Sequence, residues 1–357
     1  MKKKILLAVT AVFLLISHNV FSTEPTQDEQ IDAAVSTALN TMVNTTPESS
    51  LMLLTQSDAF IGKLFPSIPP HFAVGASFSG TLINTTDITN AGNLMLEAIN
   101  AQFSLSNYIP EELSFIPLPE FTLPEKLPLP TAAVSARLGG FVIPFDIGLM
   151  GIATIPNVLD DVTLDTYNMK YNFMTLGADV RFALYEGGLI MPKISLGVGY
   201  IFSKQEYSFS ASKSEIFYDE EHPSVCIGDY ESYANMDLAF KTHTFFTQIQ
   251  ISKKIFFMTP YAGIRVRFTM SESGYSWNYK SKFTKDSDPE NPEISEGSNS
   301  NSYQVLLSDF AWSPECINPT LFGGIGFKIG FFDLGLNVSW NMATNYFTFG
   351  LLTTFKM

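Results

Sequence analysis

Residues 346–357 read YFTFGLLTTFKM. Phe347, Phe349, Leu351, Phe355 and Met357 share one face of an extended chain, and Thr348, Gly350, Thr354 and Lys356 share the other. A period of two is that of a β-strand with a single apolar side. Whether that side packs on a core or meets lipid decides the fold.

The same period recurs upstream. Leu334, Leu336, Val338 and Trp340 alternate with Asp333, Gly335, Asn337, Ser339 and Asn341, and Leu321, Ile325, Phe327 and Ile329 with Gly324, Gly326 and Lys328. Ala262 to Met270 alternates with Gly263, Arg265 and Arg267, Phe245 to Ile251 with Gln248 and Gln250, and Ile194 to Phe202 with Lys193, Gly197 and Gly199. Further segments are Met174 to Leu184, Phe145 to Leu149, Val134 to Gly139 and Phe72 to Ser79. With the last strand these make ten.

A soluble sandwich also alternates, so the connectors have to arbitrate. Those around 140–144, 185–191, 253–258 and 330–332 are short and fall at one end of the strands. Those near 82–131, 155–171, 203–237 and 271–319 are long and fall at the other, with one short turn at 342–345. Short turns on one side, long loops on the other and an even strand number are the pattern of an outer-membrane barrel. Lipid offers no hydrogen bonds, so only a closed sheet satisfies its backbone there. The expected fold is therefore all-β, an antiparallel transmembrane β-barrel of about 10 strands (range 8–14), whose oily face points outward. Aromatic girdles are expected from Trp340, Tyr346 and Phe347 at the long-loop end and Phe257, Tyr261, Phe331 and Phe355 at the other.

Compartment and composition agree with this fold. Lys2 to Lys4, the apolar run Ile5 to Ile16 and the small-residue site Val20-Phe21-Ser22 have the form of a bacterial signal peptide, with cleavage expected after Ser22. Beyond it no stretch of about 18 apolar residues occurs, so no transmembrane helix is expected. Yet 46% of residues are hydrophobic, 31 are Phe, and only 16% are charged. The net charge of −14 makes nucleic acid a poor partner. The last strand resembles the C-terminal β-signal of bacterial outer-membrane proteins, which implies outer-membrane lipid and the barrel-assembly machinery as partners and a bacterial outer-membrane location. In that orientation the long loops are extracellular and both termini periplasmic. Thr353 and the terminal Met357 depart from the usual apolar and aromatic residues of that signal.

The domain organisation is read as a signal peptide at 1–22, an N-terminal helical segment and candidate plug at 23–70, and the barrel at 71–357 with an apolar, Pro-rich insert at 84–130. Arg137, Asp146, Asp179, Arg181, Lys193, Arg265, Arg267, Lys328 and Asp333 have the parity of the lumen. Six cations against three anions would favour anions in an open pore; in a narrow barrel the same residues form a structural network that fills it.

The insert carries Leu94, Leu96, Ile99 and Phe103 at helical spacing, followed by Phe115 and Phe121 among six prolines between Pro110 and Pro130, read as extended chain. So much apolar surface either caps the barrel or receives a hydrophobic small molecule, for which Leu94, Leu96, Ile99, Phe103, Phe115 and Phe121 are the candidate contacts. Ile31, Val35, Leu39, Met42 and Val43 mark an amphipathic helix ahead of the first strand. A periplasmic N-terminal plug, a barrel and helical loop segments resemble the FadL-type transporters, and the resemblance implies passage of fatty-acid-like compounds. That family has fourteen strands and commonly an Asn-Pro-Ala near the mature N-terminus, which is absent here, so no ligand residue is carried over from it.

The loops hold most of the acid, with eight Asp/Glu against two Lys in 204–237 and eight against three in 272–319. A surface adhesin and a closed structural barrel are the alternatives to a channel. Cys226 and Cys316 fall in neighbouring loops of a compartment where disulfides persist, and a bridge between them is expected. "DEEHPSVC" at 219–226 matches no metal motif, no cofactor-binding pattern occurs, and His71, His222 and His243 have no partnered nucleophile in the sequence, so no enzyme is expected.

Overall fold

A computed structural model describes residues 26–63, 71–102, 125–140, 143–153, 162–164, 167–188, 190–218, 226–286, 288–304 and 318–356. The strands are β1 (Phe72–Asn84), β2 (Lys126–Gly139), β3 (Phe145–Ala153), β4 (Val162–Leu164), β5 (Tyr167–Tyr185), β6 (Lys193–Tyr218), β7 (Cys226–Ser252), β8 (Met258–Lys285), β9 (Asp288–Gln304), β10 (Asn318–Ile329), β11 (Phe332–Asn341) and β12 (Phe347–Lys356). The helices are α1 (Gln27–Leu53) and α2 (Thr86–Gln102).

Ten strands close into an antiparallel barrel. The ring runs β1-β2-β3-β5-β6-β7-β8-β10-β11-β12 and returns to β1. In the closing pair Phe78 sits opposite Leu351 and Ser77 opposite Leu352, so the strand quoted at the outset is the staple of the ring. The short strand β4 pairs with β5 and β9 with β8, both outside the ring. All ten alternating segments are members of the closed barrel, because each lays one apolar face outward and leaves no edge unpaired at membrane depth.

The outward face is apolar. Phe78 is 61% exposed, Val134 58% and Leu149 58%, while Ser77, Arg137 and Thr348 between or opposite them are buried inside. Along β6 the outward residues are apolar from Ile194 to Phe202 and the next is Lys204. Nine residues of tilted strand rise roughly 23 Å, close to the ~25 Å apolar band of such barrels. At the long-strand limit of this band Trp340 stacks on Phe347 with ring centroids 6.4 Å apart. At the short-turn limit Phe72, Phe331 and Phe332 surround Phe355. Tyr261, expected in that girdle, instead points inward and donates its hydroxyl to Asn337 Oδ1.

Two stretches read as loops are strands. β6, β7 and β8 continue well past the apolar band, with Tyr218 opposite Cys226 and Gly228 opposite Lys285, and β9 adds to them. Tyr207 and Phe209, then Tyr230 and Met236, then Tyr275, Trp277 and Tyr279, keep the two-residue period inside sequence that is otherwise Ser- and charge-rich. Its outward side is polar because it stands in water rather than lipid, which masks the signal.

The insert is also reapportioned. Thr86–Gln102 is helical, but 126–130, read as unpaired extended chain, belongs to β2, with Pro128 opposite Leu82 and Pro130 opposite Gly80. β3 joins β2 only from Val134 onward, and among the described residues no strand pairs this part of β2 on that side. Pro130 turns its carbonyl to that side, where Tyr171 donates to it at 2.9 Å, and the missing N–H disturbs no ladder.

Candidate functional site in the barrel lumen

The lumen is occupied by the chain's own amino-terminal segment. α1 starts at a capping box in which Thr26 and Glu29 satisfy each other's backbone N–H groups. Its first half presents Ile31, Val35, Leu39 and Met42 at helical spacing, and its second half, NTTPESS at 44–50, is small and polar. Small side chains let a helix about 10–12 Å wide stand inside a ten-stranded ring. Pro47 within it has no N–H to return to the helix, and one turn before it Arg267 donates to Asn44 O at 3.3 Å.

Hydrogen bonds reach this segment from strands on every side of the ring. Ser79 Oγ donates to Ser49 O at 2.6 Å and Ser77 Oγ to Leu53 O at 3.2 Å from β1. From β6, Ser203 Oγ meets Ser50 Oγ at 2.9 Å, and Thr46 donates to Gln205. Gln250 Nε2 donates to Gln56 O at 2.7 Å, and Asp146 accepts from the Ile61 N–H at 3.0 Å. Glycines on the wall give the segment room. A Cβ at Gly350 would stand 2.6 Å from Met52 Cγ, and one at Gly326 would stand 2.5 Å from Ser57 Cβ.

Eight of the nine residues read as lumen-facing lie inside, and most are interlocked. Arg137 donates to Asp146 at 2.5 Å and to Asp179 at 2.6 Å, and Arg181 grips both oxygens of Asp146 at 2.9 Å while reaching Asp58 O at 2.7 Å. Arg267 pairs with Glu48 at 2.7 Å, and Glu48 also accepts from Thr320 and Asn341. Asp333 is paired with Lys356, which also reaches Asp58 at 3.1 Å. Lys193 donates to Phe60 O at 2.8 Å. Arg265 bonds Gln248 and Thr55, and its guanidinium lies 5.2 Å and 4.7 Å from the ring centres of Phe246 and Phe322. Lys328 shares the parity of the others but sits exposed at the short-turn rim, opposite Asp333 in register.

Sequence reasoning missed Glu48 and Asp58, which the segment supplies to a wall richer in cations than in carboxylates, and it missed Lys356 as the partner of Asp58. The wall's surplus of positive charge is met by these two carboxylates of the segment. The available signal was the polar NTTPESS run following an apolar helical stripe.

Toward the long-strand end the interior changes character. Ile31, Val35, Leu39 and Met42 of α1, Ile88 and Ala91 of α2, and Tyr171, Phe173, Tyr207, Phe240 and Trp277 of the wall form one buried apolar cluster. Tyr171 stacks on Tyr207 at 4.6 Å. Burial pushes both hydroxyl pKa values up. Of the candidate hydrophobic contacts, Leu94 packs against this cluster and Leu96 and Ile99 lie on α2. Phe103, Phe115 and Phe121 lie outside the described residues.

The remaining candidates are dispersed. Among the described residues Cys226, at the tip of β7, has no partner thiol, and Cys316 lies outside them. His243 is on the outward face beside Tyr200, whose hydroxyl is 2.7 Å from its Nδ1, and His71 is 2.6 Å from Lys63 O. His222 lies outside the described residues.

No family model matches the chain, and no curated protein matches it. Among solved structures it is similar to the translocator domain of the autotransporter NalP from Neisseria meningitidis, with 10% identity, 80% of this chain and 87% of that one covered, and a TM-score of 0.29. The outer-membrane protease OmpT from Escherichia coli gives 10% identity, 84% and 98% coverage and 0.30, and a Pseudomonas aeruginosa FadL homologue 7%, 80% and 90%, and 0.24. The resemblance is weak in each case.

Proposed function

We propose that this outer-membrane barrel is a channel for small hydrophobic, fatty-acid-like compounds, held shut by its amino-terminal segment. The observation that carries the reading is the divided interior. Barrel lumens are ordinarily polar, whereas here the interior at the long-strand end is a packed apolar cluster, rich in aromatic rings and joined by α2, the helical part of the apolar insert. An apolar compound entering there meets rings instead of water, and the ionic latches of Glu48 and Asp58 below it are the gate. The protein binds outer-membrane lipid with its apolar band and is inserted by the barrel-assembly machinery through its last strand, with the carboxy terminus periplasmic and the long strands outside. No catalytic role is assigned to it.

Uptake of labelled fatty acid by cells producing the protein tests this reading. Uptake that depends on the protein supports it. No uptake together with no conductance in planar bilayers overturns it. One observation favours a second reading, a surface-interaction protein: the β6–β9 sheet stands some 16 residues, or ~50 Å of strand, beyond the apolar band. Binding of intact producing cells to a surface or host partner without uptake would select it.

A further inference from the structure

The direction of α1 carries a consequence independent of cargo. Its carboxy-terminal side is anchored at the short-turn end: Asp58 meets Lys356, Ala59 donates to Ser252 Oγ at 2.9 Å, and Lys63 pairs with Glu186 at 2.8 Å. Its beginning is at the other end. Ile31 and Val35 belong to the same buried cluster as Trp277 and Tyr279 of the β8 extension, and Thr41 donates to Asp87 at the start of α2. Burial and, after it, the nearby Asp28 carboxylate raise the Tyr279 hydroxyl pKa. Thr26, Asp28, Glu29 and Gln30 are exposed there. A helix of 27 residues is about 40 Å long, enough to cross the barrel from end to end. The expectation that both termini are periplasmic concerns residues ahead of Thr26, which lie outside the described residues. Thr26 and Lys356 are at opposite ends of the ring, because the apolar half of α1 matches the apolar chamber and its polar half matches the ionic lumen.

We infer that the barrel displays the start of its own α1: the helix is threaded through the ring so that its first turn, from Thr26, emerges on the long-strand face. The wall makes the threading stable. Reversing α1 would set Ile31, Val35 and Leu39 among Arg137, Arg181 and Arg267 and leave Glu48 among aromatic rings, and burial of unpaired charge is costly on both counts. A second function follows, presentation of the exposed first turn, with Thr26, Asp28, Glu29 and Gln30, on one side of the membrane by a scaffold whose own chain is the tether.

Single cysteines decide the matter. In a background carrying Cys226→Ser and Cys316→Ser, Asp28→Cys is compared with Ser214→Cys on the exposed outward side of β6 and Lys254→Cys in the 253–257 turn. Each variant is first shown to give the heat-modifiable band of a folded barrel. A membrane-impermeant maleimide is then applied to intact and to permeabilised cells. The expected result is that Asp28→Cys labels under the same condition as Ser214→Cys, in intact cells, with at least a tenfold excess over Lys254→Cys. Labelling of Asp28→Cys together with Lys254→Cys overturns the proposal, and so does a failure to label in either condition. Should Ser214→Cys need permeabilisation and Lys254→Cys not, the membrane orientation assumed for the channel is inverted, while the threading still stands if Asp28→Cys follows Ser214→Cys.

Discussion

Replacing Glu48 with alanine should open the barrel without unfolding it. The Glu48 side chain is 1% exposed and that of Arg267 3%, and the carboxylate serves Arg267, Thr320 and Asn341 at once. Removing one partner of a buried ion pair costs about 3–5 kcal/mol, since the other charge is left unpaired. Each 1.4 kcal/mol is a factor of ten, so the seated state of the segment should lose a factor of roughly 10² to 4 × 10³. The wall keeps all its strand pairing, because Glu48 belongs to no strand. Planar-bilayer recordings of Glu48→Ala should therefore show openings that are rare in the wild type, with the heat-modifiable band intact. Glu48→Gln, which retains acceptor capacity, should fall between. In Glu48→Ala with Arg267→Ala the orphaned guanidinium is gone, and a double-mutant cycle should recover more than 1 kcal/mol of coupling. Openings no more frequent than in the wild type, with a coupling within about 0.5 kcal/mol of zero, would refute the latch.

Three further outcomes are expected. Asp146→Ala leaves Arg137 and Arg181 without their shared carboxylate; urea unfolding should show a loss of about 3–5 kcal/mol or more, larger than for Asp179→Ala, which deprives Arg137 alone. Phe78→Arg puts a cation on the lipid face of β1 and should cost about 2–4 kcal/mol, read as a lower temperature for loss of the folded gel band. For the bridge expected between Cys226 and Cys316, a thiol reagent should label neither cysteine in intact cells before reduction and both after; a bridge closing that loop would constrain the unfolded chain by about 4–5 kcal/mol, and labelling of both without reductant shows it absent.

Much of this architecture is legible in the sequence. The two-residue period of segments such as Val134 to Gly139 and Phe347 to Phe355 is a local property, since each residue's side follows from its neighbours alone. Lumen parity was legible for the same reason, which is why Arg137, Asp179 and Arg267 were found. The extension of β6 to β9 was hidden because its outward face meets water, so polarity on one side no longer signalled a strand's limits. The 126–130 strand was hidden because two prolines are tolerated only on a side that happens to be unpaired, and that depends on where β3 ends.

By itself, then, the sequence determined that ten strands close with their apolar faces outward, because alternation needs only adjacent residues and lipid permits no open edge. What occupies the ring, and in which direction it runs, was decided by the tertiary structure. Glu48 meets Arg267 across 219 positions and Ser57 meets Asp333 across 276. Such pairings follow from a match between the two halves of α1 and the two halves of the lumen, and that match exists only once the ring has brought the distant strands together.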